Sequence, residues 1–297
     1  MKFSIITPCY NSADYIEETI NSVLNQSGDF EIEYILVDGG STDHTLEKIK
    51  KAKDFFENNK PKCNRIEIRY ISEKDDGMYD AINKGFAMSS GDILAWINAD
   101  DLYRDGAFAI ISATFLKFPN IKWLKGFTSF ANQNGDIIDK GKNYIYNKNW
   151  IKKGIYGRNA PFIHQDSVFW TRSLWQRTNK LNPKLKLAGD YDLWIKFSQF
   201  ERLWSIDVPV SIFRKRVGQL SSNMDRYRNE QKAVSKESGL TNFIIKVFFF
   251  IYNKLPQRLA NIYAFSYPLI CSKRERRFIK YKDGLSQIKT SNRFFTI

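Results

Sequence analysis

Two short stretches of the chain combine side chains that could hold a cation or move a proton. Asn98-Ala99-Asp100-Asp101 sets two carboxylates side by side, with an amide just before them. Carboxylate oxygens suit magnesium and manganese, which commonly keep several of their waters. Gly189-Asp190-Tyr191-Asp192 carries a second acidic pair into an apolar run. One carboxylate there can take the proton of a hydroxyl as that hydroxyl attacks. Val37-Asp38-Gly39-Gly40-Ser41 and Glu73-Lys74-Asp75-Asp76-Gly77 add further acids. Each cluster also has an ordinary structural reading. Asp100-Asp101 could cap the next helix, Asp38 could close an Asx turn, Asp190 could be an N-cap, and 73–77 could be a solvated loop.

The elements that must position these residues favour the chemical readings. Phe3–Thr7, Ile32–Val37, Ile66–Ser72 and Asp92–Ile97 are short apolar or β-branched runs and read as strands. Helices are predicted after Ser12, up to about Asn59, over Met78–Ser89 and from about Asp105 to Phe118. This alternation implies an α/β fold, a mostly parallel sheet covered by helices. Ligands on such sheets bind beyond the carboxyl ends of the strands. Asp38, the 73–76 acids and 98–101 all follow strand ends, so they converge on one edge. Beyond about residue 121 the pattern turns mixed, with a strand over Ser167–Trp170, a helix over Tyr191–Phe200 and a strand over Leu203–Phe213.

Hydrophobic residues make up 43% of the 297, which excludes a disordered chain. The net charge is +14, and residues 239–297, with 11 Lys+Arg against 2 Asp+Glu, hold +9 of it. That tail also contains the longest apolar run, Phe243 to Tyr252, interrupted by Lys246 and well short of the ~20 residues of a spanning helix. The expected division is an α/β unit over 1–238 and a helical, basic, aromatic extension over 239–297. A segment of that kind can lie on an anionic membrane surface. The charge raises a nucleic-acid-binding alternative, but no nucleic-acid module is recognisable and no nucleic-acid partner is expected. Cys9, Cys63 and Cys271 form no CxxC or Cys/His cluster, which fits a reducing cytoplasm. The apolar run after Met1-Lys2 is too short for a secretory leader.

Taken in order, Thr7-Pro8-Cys9-Tyr10-Asn11, Val37-Asp38-Gly39-Gly40-Ser41-Thr42-Asp43, Asn98-Ala99-Asp100-Asp101 and Gly189-Asp190-Tyr191-Asp192-Leu193-Trp194 resemble the family-2 inverting glycosyltransferases of GT-A fold. The resemblance covers about residues 1–220. Asp76-Gly77-Met78-Tyr79-Asp80-Ala81-Ile82-Asn83-Lys84-Gly85 looks like the branch that builds bacterial exopolysaccharide, colanic-acid-like or O-antigen chains. The resemblance implies a GT-A catalytic domain over 1–238, a nucleotide-diphosphate-sugar donor, Mn2+ or Mg2+, and inversion at the transferred sugar. It also implies a saccharide acceptor linked to polyprenyl diphosphate, met by an enzyme peripheral to the cytoplasmic face of the membrane.

It assigns roles residue by residue. Asp100 matches the metal-binding carboxylate, and Asp101 the acid that supports metal and donor sugar. The family usually has Asp at the position of Asn98, so Asn98 is expected to touch ribose or water. Asp38 is expected to read the uracil or ribose, Tyr10 to stack on the base, and Thr7 with Pro8 to shape that wall. Asp76, and Lys84 near the phosphates, are expected at the donor. Asp190 matches the catalytic base, whereas Gly189 replaces the family's usual Glu. His164 is expected at the acceptor or a donor phosphate, and Arg214 or Arg216 at the diphosphate. No Gln-x-x-Arg-Trp of processive members is present, which implies one sugar per encounter. A nucleotidyltransferase on a related fold is the enzyme alternative, but its N-terminal Gly-rich phosphate loop is missing. Nothing in the sequence sets the oligomeric state.

Overall fold

The computed structural model describes residues 1–157, 160–219 and 223–235, several positions between 243 and 259, and 277–282 and 285–290. The first half alternates β1 (Lys2–Cys9), α1 (Ile16–Leu24), β2 (Gly28–Asp38), α2 (Thr45–Glu57), β3 (Cys63–Ser72), α3 (Met78–Met88) and β4 (Ile93–Trp96). β1 pairs in parallel with β2 on one side and β4 on the other, and β3 lies parallel outside β2. The chain thus winds outward through β2 and β3, then crosses back to β4. The crevice at such a reversal is where ligands of open α/β sheets sit.

The remaining elements are β5 (Leu102–Tyr103), α4 (Ala107–Lys117), β6 (Trp123–Ala131), β7 (Ile137–Asp139), α5 (Lys148–Lys152), β8 (Val168–Thr171), α6 (Arg172–Gln176), α7 (Gly189–Phe200), β9 (Trp204–Arg214), α8 (Met224–Val234), β10 (Arg277–Lys282) and β11 (Leu285–Thr290). The sheet runs β11-β10-β9-β6-β8-β4-β1-β2-β3. β8 is antiparallel to both β4 and β6, so the regular parallel pattern stops there.

Side-chain alternation along β1 separates two cores. Phe3 and Ile5 pack with α1 and α4, while Ile6 packs beneath α3. A Cβ at Gly85 would stand 2.5 Å from Ile6 Cγ2, so only glycine lets α3 lie this close. Trp194 of α7 stacks on Trp96 and Trp123 of the sheet, with centroids 5.9 and 5.6 Å apart. Leu193, Trp194 and Phe197 form the buried face expected from their spacing.

Three boundaries differ from the sequence reading. α1 begins at Ile16 after a turn over 13–15, and the Ser12 hydroxyl donates to Tyr10 O at 3.2 Å instead of capping the helix. α7 begins at Gly189, which places Asp190 inside the first turn instead of at the cap. In the expected helical extension, most described positions between 243 and 259 are helical, but β10 and β11 form a hairpin whose first strand pairs in parallel with β9. Most of 239–276 lies outside the described residues.

Candidate active site

The turn after β4 is the most tightly built part of the carboxyl edge. Asp101 N–H donates to Asn98 O at 3.2 Å and closes it. Asp101 is wholly buried. Its carboxylate accepts from Arg214 N–H at 3.0 Å and from Asn98 Nδ2 at 3.2 Å. Burial, and then the charges of Asp100 and Asp166, push the Asp101 carboxyl well above the usual range. Asp100 keeps a partly open edge, and its Oδ2 pairs with Arg216 Nε at 2.6 Å.

Arg214, expected at the diphosphate, lies inside the scaffold of the turn. It is 2% exposed and bolts the turn in place. Its guanidinium donates to Asp100 O at 3.1 Å, Gln133 O at 3.0 Å and Glu18 Oε2 at 2.5 Å, with the Tyr15 ring beneath. Each of its three nitrogens already donates, and the buried group is held within the scaffold. Of the two arginines, Arg216 is the one that pairs with the Asp100 carboxylate.

The turn suits a divalent cation. Asp100 offers a carboxylate edge already attracting positive charge. Asn98 Oδ1 is buried with no hydrogen-bond partner. Among the described residues no group of three His, Cys, Asp or Glu could hold a metal alone. Asp100, with Asp101 behind it, would therefore hold the ion while phosphate oxygens and water complete its shell, as magnesium and manganese allow. Such an ion supplies charge neutralisation for a departing diphosphate.

The wall formed by β1, β2 and β3 differs from expectation in several places. Thr7 is buried, and its hydroxyl shares a 2.9 Å hydrogen bond with Tyr34 OH. Pro8 is buried beside Val37 in the β1–β2 register. Both support the wall from within. Asp38 is also fully buried, and it accepts from Ser72 Oγ at 2.6 Å and from the hydroxyl and N–H of Ser41. It shapes the turn and presents no free edge to a base or ribose. Tyr10, 62% exposed, is the residue of this group that is open for stacking. Lys84 lies on α3 between Glu73 at 2.8 Å and Asp80 at 3.3 Å, so its charge is already matched. Asp76 is exposed, and its carbonyl takes the Lys186 ammonium. Asp75, which the sequence did not single out, leans closer to the β2 end. A Cβ at Gly39 would stand 2.8 Å from Asp75 Oδ2.

Asp190 sits where α7 meets α3 and α8. A Cβ at Gly189 would stand 2.6 Å from the Tyr79 ring, so this ring occupies the room a side chain would need. Tyr79 OH donates to Leu187 O at 2.7 Å and Tyr227 OH donates to Asp190 Oδ1 at 3.2 Å. Burial raises the Asp190 carboxyl to about 6, against the lowering pull of its hydrogen bonds. A carboxyl poised there is a competent base near neutral pH. Beside it is a small recess lined by Ile151, Tyr156, Phe162, Trp194 and Tyr227.

His164 packs among rings instead of facing that recess openly. Its centroid lies 5.3 Å from Phe130 and 6.3 Å from both Phe162 and Phe213. Burial lowers its pKa, although Asp166 opposes the shift. Sequence reasoning missed Tyr227 and Glu18, which act across long separations and carry no local motif. Tyr79 stood inside a quoted motif without a role.

Residues 4–150, which include β1 to β4 and the Asp100 turn, match the model of Glycosyl transferase family 2. Over those residues the chain is similar to a family 2 glycosyltransferase domain. Over 196 residues it is 28% identical to a chondroitin synthase of Pasteurella multocida, a match covering 66% of this chain and 19% of that protein. The chain thus spans about a fifth of that relative's length. The fold resembles S. aureus TarS 1–349 in complex with UDP-GlcNAc, with TM-score 0.56, 16% identity, and coverage of 100% of this chain and 99% of that one. It also resembles the mannosyltransferase PcManGT of Pyrobaculum calidifontis in complex with GDP-Man and Mn2+, with TM-score 0.54, 16% identity, and coverage of 91% and 76%. These likenesses establish the α/β glycosyltransferase fold. Asp190 and α8 lie beyond the matched residues of the glycosyltransferase domain, so their roles rest on geometry and on the resemblance.

Proposed function

We propose that this chain is a metal-dependent inverting glycosyltransferase. It moves one sugar from a nucleotide-diphosphate sugar to a hydroxyl of a saccharide acceptor in cell-surface polysaccharide synthesis. The observation that carries the reading is the pair of carboxyl environments at the carboxyl edge of the sheet. Asp100 is largely buried, with a narrow exposed edge, and is cation-paired. Asp190 is raised to about 6 and held by Tyr227. The first suits the diphosphate end of a donor, and the second suits proton removal from an acceptor hydroxyl on the opposite face of the sugar. Inversion needs only one carboxylate, because no covalent glycosyl-enzyme forms. The neighbour crystallised with GDP-Man and Mn2+ supports a divalent ion, and the one crystallised with UDP-GlcNAc supports a nucleotide-sugar donor.

We further propose a lipid-linked acceptor met at the cytoplasmic face of the membrane, where the extension over 239–297 lies on anionic lipid. Phe243, Val247, Phe250 and Ile251 are helical positions with exposed side chains, while Phe248 between them is buried in the core. Lys254 lies over the Phe250 ring. Apolar rings flanked by cations suit a headgroup boundary. Among the described residues no helix is long and apolar enough to cross a membrane. A screen of nucleotide sugars with the full chain and Mn2+ or Mg2+ tests the enzymatic reading. Acceptor-dependent release of nucleoside diphosphate supports it, and release of pyrophosphate would favour a nucleotidyltransferase.

A further inference from the structure

The chain entering α7 is held by an element that the sequence gives no reason to connect with it. The α7 N-cap is Ala188, which has no accepting side chain. Three successive N–H groups, of Lys186, Leu187 and Ala188, instead converge on Glu230 of α8. They reach Oε2 at 3.1, 2.8 and 3.0 Å, and Lys186 N–H also reaches Oε1 at 3.2 Å. Successive backbone N–H groups form a concave anion site, and a negative charge at a helix N-terminus is further favoured by the helix dipole. One turn earlier on α8, Tyr227 holds Asp190 Oδ1.

We propose that Tyr227 and Glu230 are positioning residues for Asp190: Glu230 anchors the segment entering α7, and Tyr227 orients the carboxylate that takes the acceptor proton. The inference rests on the reading of Asp190 as base. It also accounts for Gly189. The Tyr79 ring fills the space a Glu at 189 would need. The second carboxylate of the site comes from α8 instead.

The two residues act on Asp190 in opposite electrostatic senses. The groups that face it are Tyr79 from α3, Tyr191 from its own helix, and Tyr227 and Glu230 from α8. Lys186 is turned away to the Asp76 carbonyl, and Asp192 is paired with Lys196 at 2.7 Å. The Tyr227 hydroxyl stabilises the ionised carboxylate, whereas the Glu230 charge disfavours it. Tyr227→Phe should therefore shift the Asp190 titration upward in pH, and Glu230→Gln, which keeps an accepting oxygen, should shift it downward. Loosening of the fold would move both the same way.

The test is a 13C NMR titration of the full chain labelled at aspartate carboxyls, with the Asp190 resonance identified by its loss in Asp190→Asn. Opposite shifts in the two variants are expected. Unchanged midpoints in both, or shifts of the same sign, would overturn the proposal. If Glu230→Gln fails to fold, the upward shift in Tyr227→Phe decides alone, and its absence refutes the clamp. The base reading fails separately, if Asp190→Asn transfers sugar as the parent does.

Discussion

Asp190 sits in an environment that sets the pH of its proposed proton transfer. Its carboxyl, ordinarily near 3.8, is raised to about 6. A base must be ionised, so transfer should decline as pH falls through about 6, measured as the acid limb of kcat/KM. Because the folded value exceeds the unfolded one, the group stabilises the fold fully below its ordinary value. That contribution is lost as pH rises through about 6. At neutral pH the carboxylate therefore costs stability, on the order of 3 kcal/mol. Asp190→Asn should raise Tm while transfer falls by about 10²–10⁴-fold. Loss of both together would mean that the residue is structural. Asp100→Ala should abolish Mn2+-dependent binding of nucleoside diphosphate by calorimetry, as EDTA should in the parent. Undiminished binding would remove Asp100 from the metal site. At this scale the sequence made the acidic motifs readable, since their spacing is local. It did not show that Asp38, Thr7 and Arg214 are buried, because Ser72, Tyr34 and Glu18 that engage them lie on other elements.

Strands and helices were legible where one periodicity held, from β1 to α4. Their ends were not, since Cys9 and Gly28 join the ladder through neighbours in space. The β2 strand contains a further device hidden from periodicity. Glu33 is buried beneath Lys2 and Arg69, with the Ser4 hydroxyl and both the N–H and hydroxyl of Ser90 donating to it. Despite the opposing effect of burial, these donors lower its carboxyl from 4.5 to about 2. A lowered group stabilises above its unfolded value. Glu33 should support the fold at neutral pH and lose that contribution as pH falls from about 4.5 to about 2. Urea denaturation of Glu33→Gln should show a stability loss at pH 7 that narrows across this window. The α3–α7 contact gives a second expectation. Gly189→Glu would drive a side chain into the Tyr79 ring, and overpacking of this kind costs about 1–3 kcal/mol. The lowered Tm is measurable by calorimetry, and an unchanged Tm would show that Tyr79 moves aside freely.

The whole molecule joins an α/β sheet to a basic tail, and the tail's composition revealed only half of its role. Its charge and aromatic content were plain, but a parallel pairing of β10 with β9 has no local signature. Phe248 and Ile279 are buried in the two cores. Removal of 239–297 should therefore lower Tm as well as liposome binding. Phe243→Ser with Phe250→Ser alters only exposed rings, and should weaken sedimentation with anionic vesicles at unchanged Tm. Equal sedimentation would refute the membrane role. The proposed reaction divides donor and acceptor chemistry between Asp100 and Asp190. Its most direct measurement is nucleoside diphosphate release from nucleotide sugars with Mn2+ and a lipid-linked saccharide acceptor, comparing the full chain with Asp190→Asn. Acceptor-dependent release by the parent is expected, with a loss of at least about 10²-fold in the variant and donor binding preserved. Equal release by the two proteins would contradict it.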